Sequence, residues 1–360
     1  MIRKLESVQV LRGLAALGVV TFHLTAVDEK FTGGALLPGC AGLGQCGVDL
    51  FFVISGFVMT LITSDHWGEL KSAHFLLRRV SRIFPVYWFY SLVTLCAILA
   101  FPGHISATQQ DKLGFVNIFN SFFLIPSETV YLVIVAWSLM FEVYFYILFS
   151  GLIRFPKKKL CFFVASWAGL LVAFNAFFPL PDNDFLQLLV HPYSLEFLSG
   201  IGCGLLYKKT SGKQMKKSAL VVLSLTACFG VCSLWTLLRN QILLQTLTLG
   251  CLFALLIFSV ASLERMGAFH CPCLFVKIGD ASYSIYLSRI LIIGAMEHFA
   301  APLFFSAHLK LLEYFFFVVT LILIVVFSRI SYRHIERPSY AFLNERIVDR
   351  YFRKYKANIP

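Results

Sequence analysis

Residues 11–24 read LRGLAALGVVTFHL, an apolar run whose only ionisable residues are Arg12 and His23. A helix advances about 100° and 1.5 Å per residue, so this spacing is roughly three turns and puts both side chains on one face, roughly 16 Å apart. Ala16 and Val19 lie between them on that face. Ionisable groups inside a membrane helix are costly and usually face the protein interior or a wet cavity. Spacing alone also allows a plainer arrangement, with Arg12 snorkelling from one end and His23 at the opposite interface.

The rest of the chain decides what kind of helix this is. Of its 360 residues, 58% are hydrophobic and 14% charged. No soluble core needs so much apolar surface, whereas bilayer spans of about 20 apolar residues account for it. Ten spans are predicted, roughly at 8–27, 47–63, 84–101, 131–152, 160–178, 185–207, 219–238, 242–262, 274–300 and 312–331. The expected fold is an all-α, polytopic membrane helix bundle forming one domain over residues 1–360. The stretch around GFVNIFNSFFLIP (residues 114–126) reads as an amphipathic piece lying in the interface.

Charge orients the bundle. Arg3 and Lys4, then Lys71 with Arg78, Arg79 and Arg82, then Arg154 with Lys157–Lys159, then Lys208, Lys209, Lys213, Lys216 and Lys217, then Arg265 and Lys277 fall in or around alternate loops, and a basic tail continues the pattern. The other loops hold only Lys30, Lys112, Arg239 and Lys310. The positive-inside rule therefore predicts both termini in the cytoplasm. The net charge of +12 is then a topology signal, and the expected partner is a lipid bilayer, with no nucleic acid. The ten cysteines show no zinc-type spacing, and no metal site is expected.

The polar residues within the spans form a set. GVDLFFVISGF (47–57) opens span two at the outer side and brings Asp49 to the depth of His23. A carboxylate there can orient an imidazole and stabilise its cation, or complement the helix dipole as a cap; the two roles are compatible. Ser55 and Gly56 suit close helix packing. Arg79 and Arg82 share a helical face; their guanidinium forks suit phosphate, and topology anchoring also explains them. VAWSLMFEVYFYI (135–147) places Ser138 and Glu142 on one face beside Trp137, and His191, Tyr193 and Glu196 surround a kink at Pro192. Ser282, Tyr286 and Arg289 follow a helical stripe in IGDASYSIYLSRI (278–290). Packing explains the hydroxyls better than it explains Arg, Glu and His. Two functions fit such an interior: an enzyme, or a transporter of a polar or anionic solute. No inverted repeat or pair of broken helices is visible to favour transport.

Taken in order, R-x10-H (Arg12, His23), GVDLFFVISGF, RRVSRIFPVYW (78–88), WSLMFEVYFY (137–146), IGDASYSIYL (278–287) and YRHIERP (332–338) resemble the acyltransferase-3 family of integral membrane O-acyltransferases. The likeness runs over residues 8–338, and the WSLMFEVYFY version is most similar to members that decorate exopolysaccharide or lipopolysaccharide. It implies transfer of acetyl from cytoplasmic acetyl-CoA, a co-substrate and not a bound cofactor, to a hydroxyl of a glycan or lipid-linked saccharide. The implied location is a bacterial inner membrane. The resemblance assigns functional roles to Arg12 and His23, donor or substrate handling to Arg79 and Arg82, and the terminal acid to Glu336. His23 then acts as base on the acceptor hydroxyl or carries the acetyl group itself, with Asp49 orienting it and Arg12 positioning the donor. Glu142, Tyr286 and Arg289 join the expected substrate-binding set. Members commonly have His where this chain has Arg289, and a permanent cation there calls for an anionic partner, Glu142 or the glycan. No esterase-type C-terminal domain is expected.

Overall fold

The first span becomes α1, Glu6–Thr32. A helix start leaves its first N–H groups without partners; here those of Glu6 and Ser7 donate to the Glu264 carboxylate at 2.9 and 2.8 Å. The far end stops at Gly33, whose φ of 71° is the left-handed cap that glycine accommodates. Between them, Ala16, Val19, Val20 and Leu24 are buried.

The computed structural model describes residues 4–34, 36–37, 40–63, 69–100, 113–127, 131–156, 159–210, 215–238, 240–268, 270–305 and 309–349. Of the loop residues named above, Arg3, Lys112, Lys157, Lys158, Lys213 and Arg239 lie outside these. After α1 come α2 (Cys40–Gln45), α3 (Gly47–Ile62), α4 (Glu69–Ala100), α5 (Phe115–Phe123), α6 (Ala136–Leu152), α7 (Leu160–Phe177), α8 (Asp184–Val190) and α9 (Tyr193–Lys209). Then follow α10 (Lys217–Leu238), α11 (Ile242–Arg265), α12 (Cys273–Asp280), α13 (Ser282–Phe299), α14 (Ala301–Phe305) and α15 (Lys310–Ser331). A π-helical turn, Tyr332–Glu336, leads into α16 (Arg337–Phe342) and a second π-helical segment, Leu343–Val348. Every element among the described residues is helical.

Seven described helices are long and apolar enough to cross a membrane. The three remaining expected spans differ from a single long helix. Span four is the 17-residue α6. Span six breaks at His191–Pro192 into α8 and α9, because proline offers no N–H to continue the ladder. Span nine breaks at Ala281 into α12 and α13. The short α5 exposes Phe115, Val116, Phe119 and Phe123 while burying Ser121, the two-faced pattern of an interfacial helix.

Large apolar side chains also cover the outside of the bundle, among them Phe162, Leu170, Phe229 and Leu311. That surface suits hydrocarbon and no aqueous phase. The protein is an integral membrane protein. Lipid removes most of the hydrophobic drive between helices, so close backbone approach carries the packing. At the α3–α9 crossing, a Cβ on Gly56 would strike the Phe197 carbonyl, and one on Gly200 the Val53 carbonyl.

Chain ends predicted to share one side of the membrane meet directly. Lys4 pairs with Asp280 at 2.5 Å, Lys208 donates to the Thr60 carbonyl, and Arg265 donates to that of Tyr207 at 2.9 Å. Asp349 accepts from Arg78 at 2.8 Å and meets His74 at 3.1 Å. Burial raises the Asp349 carboxyl, but these two partners outweigh it and hold the acid below its ordinary value.

Candidate functional site

Five helices surround a central cavity of about 90 Å³. Arg12 enters from α1, Ser55 from α3, Arg79 and Arg82 from α4, Ser138, Glu142 and Tyr146 from α6, and Ser282 and Tyr286 from α13. A second cavity of about 290 Å³ adjoins it at the basic end, where Lys4, Gln9, Asp280, Glu336, Arg337 and Tyr340 form the wall. Arg12 and Arg82 line both. The two spaces are therefore a mouth and an inner chamber that meet at two cations.

The charges in this path are held but not neutralised. Glu142 accepts from the Ser55 hydroxyl at 3.3 Å and from Tyr146, one turn along its own helix. Arg79 lies over the rings of Phe75 and Tyr146, 5.5 and 5.7 Å from their centroids. Glu336, set by the π-helical turn, accepts from the Ser284 hydroxyl at 2.6 Å, with Arg82 and Arg12 in electrostatic reach. Yet the ion pairs among the described residues are Lys4–Asp280, Lys30–Glu297 and those of Asp349. None involves Arg12, Arg79 or Arg82, so among the described residues no carboxylate stands within 4 Å of these three guanidiniums.

Tyr286 lines the chamber, its hydroxyl 2.6 Å from that of Ser138. Behind it, the Arg289 guanidinium stacks 4.1 Å from the Tyr286 ring centroid, donates to the Tyr286 carbonyl at 2.8 Å and reaches His23 Nε2 at 3.4 Å. Arg12 and His23 thus share a face of α1, as their spacing predicts. Arg12 meets the chamber directly, while His23 stands beyond the Tyr286–Arg289 stack and lines neither cavity.

Two expected pairings take another form. Asp49 is buried at the start of α3, but no hydrogen bond joins it to His23; it faces the buried Glu196 of α9. The kink at Pro192 redirects α9 and brings Glu196 to that depth. Arg289 does not pair with Glu142: Glu142 accepts from Ser55 and Tyr146, and the Arg289 guanidinium meets the Tyr286 carbonyl and ring and then His23. Ser55, expected only to pack, donates to Glu142, while its neighbour Gly56 makes the close contact. Tyr146 and Ser284 lie within WSLMFEVYFY and IGDASYSIYL, but those motifs give them no role; each is found by asking which hydroxyl an acid in an apolar helix could reach.

The match to known proteins settles the family. Residues 5–330 match the family model described as an acyltransferase domain, acyltransferase-3. The chain belongs to the acyltransferase-3 family. It is an O-acyltransferase by that membership. It is 31% identical over 262 residues to the exopolysaccharide production protein ExoZ of Rhizobium meliloti, covering 68% of this chain and 75% of that one. It is 26% identical over 374 residues to the O-acetyltransferase OatA of Staphylococcus aureus, covering 93% of this chain and 57% of that one. The chain thus spans little more than half the length of the staphylococcal relative. No solved structure matches it.

Proposed function

We propose that this protein transfers acetyl from cytoplasmic acetyl-CoA to a hydroxyl of a cell-surface or exported glycan, in a bacterial inner membrane with both termini cytoplasmic. The observation that carries the reading is the set of three guanidiniums, Arg12, Arg79 and Arg82, lining a mouth and chamber with no carboxylate within 4 Å among the described residues. Unpaired guanidiniums in a recessed site suit phosphate, which their planar forks bind in a bidentate manner. The donor's phosphates dock at these cations, and its narrow acylated arm enters the chamber toward Tyr286.

Opening of the Tyr286–Ser138 contact then brings the thioester to His23. The acceptor oxygen attacks the thioester carbonyl, and His23 takes the hydroxyl proton as the C–O bond forms. The C–S bond breaks, and the departing thiolate recovers a proton as free CoA. Arg289 holds the imidazole, and Arg12 positions the donor. The relatives support the acceptor class, since one is named for exopolysaccharide production and the other as an O-acetyltransferase. The family membership favours group transfer over solute transport.

The test uses the full-length protein in lipid nanodiscs with acetyl-CoA labelled in its acetyl group. Glycan taken from cells lacking the gene should gain label as free CoA appears. Solute flux in vesicles without any acyl-CoA, and no labelled glycan, would overturn the reading in favour of transport.

A further inference from the structure

At the opposite end of the bundle from the basic mouth, a third cavity of about 390 Å³ opens beside α6 and α8. Its size lies within the roughly 300–1,000 Å³ usual for small-ligand sites. Tyr131, Trp137, Phe141 and Tyr193 give it aromatic walls. The rings are fixed in place: the Tyr131 hydroxyl donates to the Ile125 carbonyl at 2.8 Å and accepts from the Ser127 N–H at 2.9 Å. Trp137 and Tyr193 have ring centroids 5.7 Å apart, and Phe141 and Tyr193 5.5 Å.

Polar groups converge on the same space. Asp184 and Gln187 of α8 line it together with His191. Asp184 Oδ2 is buried without a hydrogen-bond partner among the described residues, and an unmatched buried acceptor costs about 1–3 kcal/mol unless something donates to it. His191 Nδ1 accepts from the Tyr193 N–H at 3.2 Å, which leaves the ring proton on Nε2 as a donor. The cavity thus offers flat apolar faces, one strong acceptor, one donor and an amide that is both.

We propose that this cavity is the saccharide subsite of the acceptor. A pyranose ring has apolar C–H faces that lie on aromatic rings and a rim of hydroxyls that both donate and accept, which is the complement of these walls. The inference rests on the glycan-acetylating reading above and deepens it by naming where the sugar sits. The cavity is also joined to the chemistry. Trp137 and Phe141 alternate on α6 with Ser138 and Glu142, which line the inner chamber. Phe52 of the chamber meets Phe141 and Tyr193 at 6.3 and 5.6 Å. A sugar seated here is separated from the donor's chamber by one aromatic layer.

The test takes the full-length protein in nanodiscs and short oligosaccharides cut from the surface glycan of cells lacking the gene. Saturation-transfer NMR measures binding without acetyl-CoA, and label transfer gives the KM for each substrate. Trp137→Ala and Asp184→Asn should each weaken oligosaccharide binding by about tenfold or more and raise the glycan KM in parallel. The KM for acetyl-CoA should not change, and Trp137→Phe, which keeps a ring, should recover part of the binding. If the wild type transfers acetyl but these variants bind and transfer normally, the subsite is wrong and the enzymatic reading stands. If the wild type binds the oligosaccharide through these residues yet transfers nothing, the subsite stands and the donor reading fails. Binding displaced by tetramethylammonium and not by sugar would make this an aromatic cation site and overturn the proposal.

Discussion

Arg289 holds a guanidinium nitrogen 3.4 Å from Nε2 of His23, and no carboxylate stands within 4 Å of that cation among the described residues. A guanidinium only donates, so in the resting structure Nε2 turns its lone pair to Arg289 and the ring proton sits on Nδ1; the acceptor hydroxyl must displace Arg289 from Nε2 before His23 can take its proton. Arg289 therefore fixes the tautomer and orientation of the imidazole. Arg289→Ala should lower kcat by about 10–100-fold with little change in either KM, because positioning of a base is lost and binding is not. Arg289→Lys should recover part of the rate. Steady-state kinetics in nanodiscs checks this, and an effect confined to KM would assign Arg289 to substrate binding.

His23→Ala should abolish transfer, with a loss of about 10²–10⁴-fold, the usual range for a general base. Expression and membrane insertion should persist, since one half-buried His contributes little to a 27-residue helix. Labelled-glycan counting beside a membrane-fraction blot measures both. A loss below about tenfold is too small for the role.

Asp49→Asn should be far milder than His23→Ala. Its carboxyl faces Glu196, and an amide still offers that acid a hydrogen bond. The ratio of the two variants' activities is the measurement. Equal losses would mean that Asp49 reaches His23 during turnover.

Arg79→Ala and Arg82→Ala should raise the KM for acetyl-CoA by about tenfold or more while sparing the glycan KM, since charge-assisted contacts to phosphate contribute about 1.5–3 kcal/mol each. Lysine at either position should rescue only in part. Unchanged dependence on acetyl-CoA concentration would reduce both to topology anchors.

Acid should loosen the C-terminal segment first. The Asp349 carboxyl sits below its ordinary value because Arg78 and His74 outweigh its burial. A depressed acid stabilises the folded state above its unfolded value, about pH 4, and that contribution is lost as pH falls through the lower folded value. Its side chain is 25% exposed, so the effect is about 1 kcal/mol. Hydrogen exchange over residues 343–349 should speed up below about pH 4 in the wild type and at every pH in Asp349→Asn.

Much of this site can be read from the chain because helical spacing is rigid. Arg12 and His23 share a face as three turns require, and Ser282 and Tyr286 line the chamber together as their spacing predicts. What could not be read is which helix turns toward which. Asp49 and His23 lie at similar depth in the sequence reading, but depth says nothing about azimuth, and the break at Pro192 brings Glu196 to Asp49 instead. The outer cavity was equally hidden, since Tyr131, Trp137 and Asp184 come from three segments and carry no spacing pattern. The Asp184 oxygen that is buried without a partner among the described residues marks it only in the folded chain.

The placement of Ser138 and Glu142 on one flank of α6 and of Trp137 and Phe141 on the other has a mechanical consequence. A stiff rod with a chamber on each flank cannot be displaced from one side alone. Whatever fills the outer cavity leans on the same helix that holds the Ser138–Tyr286 latch, and whatever fills the inner one leans back. Occupancy of one cavity can thus be signalled to the other through a tilt of one helix.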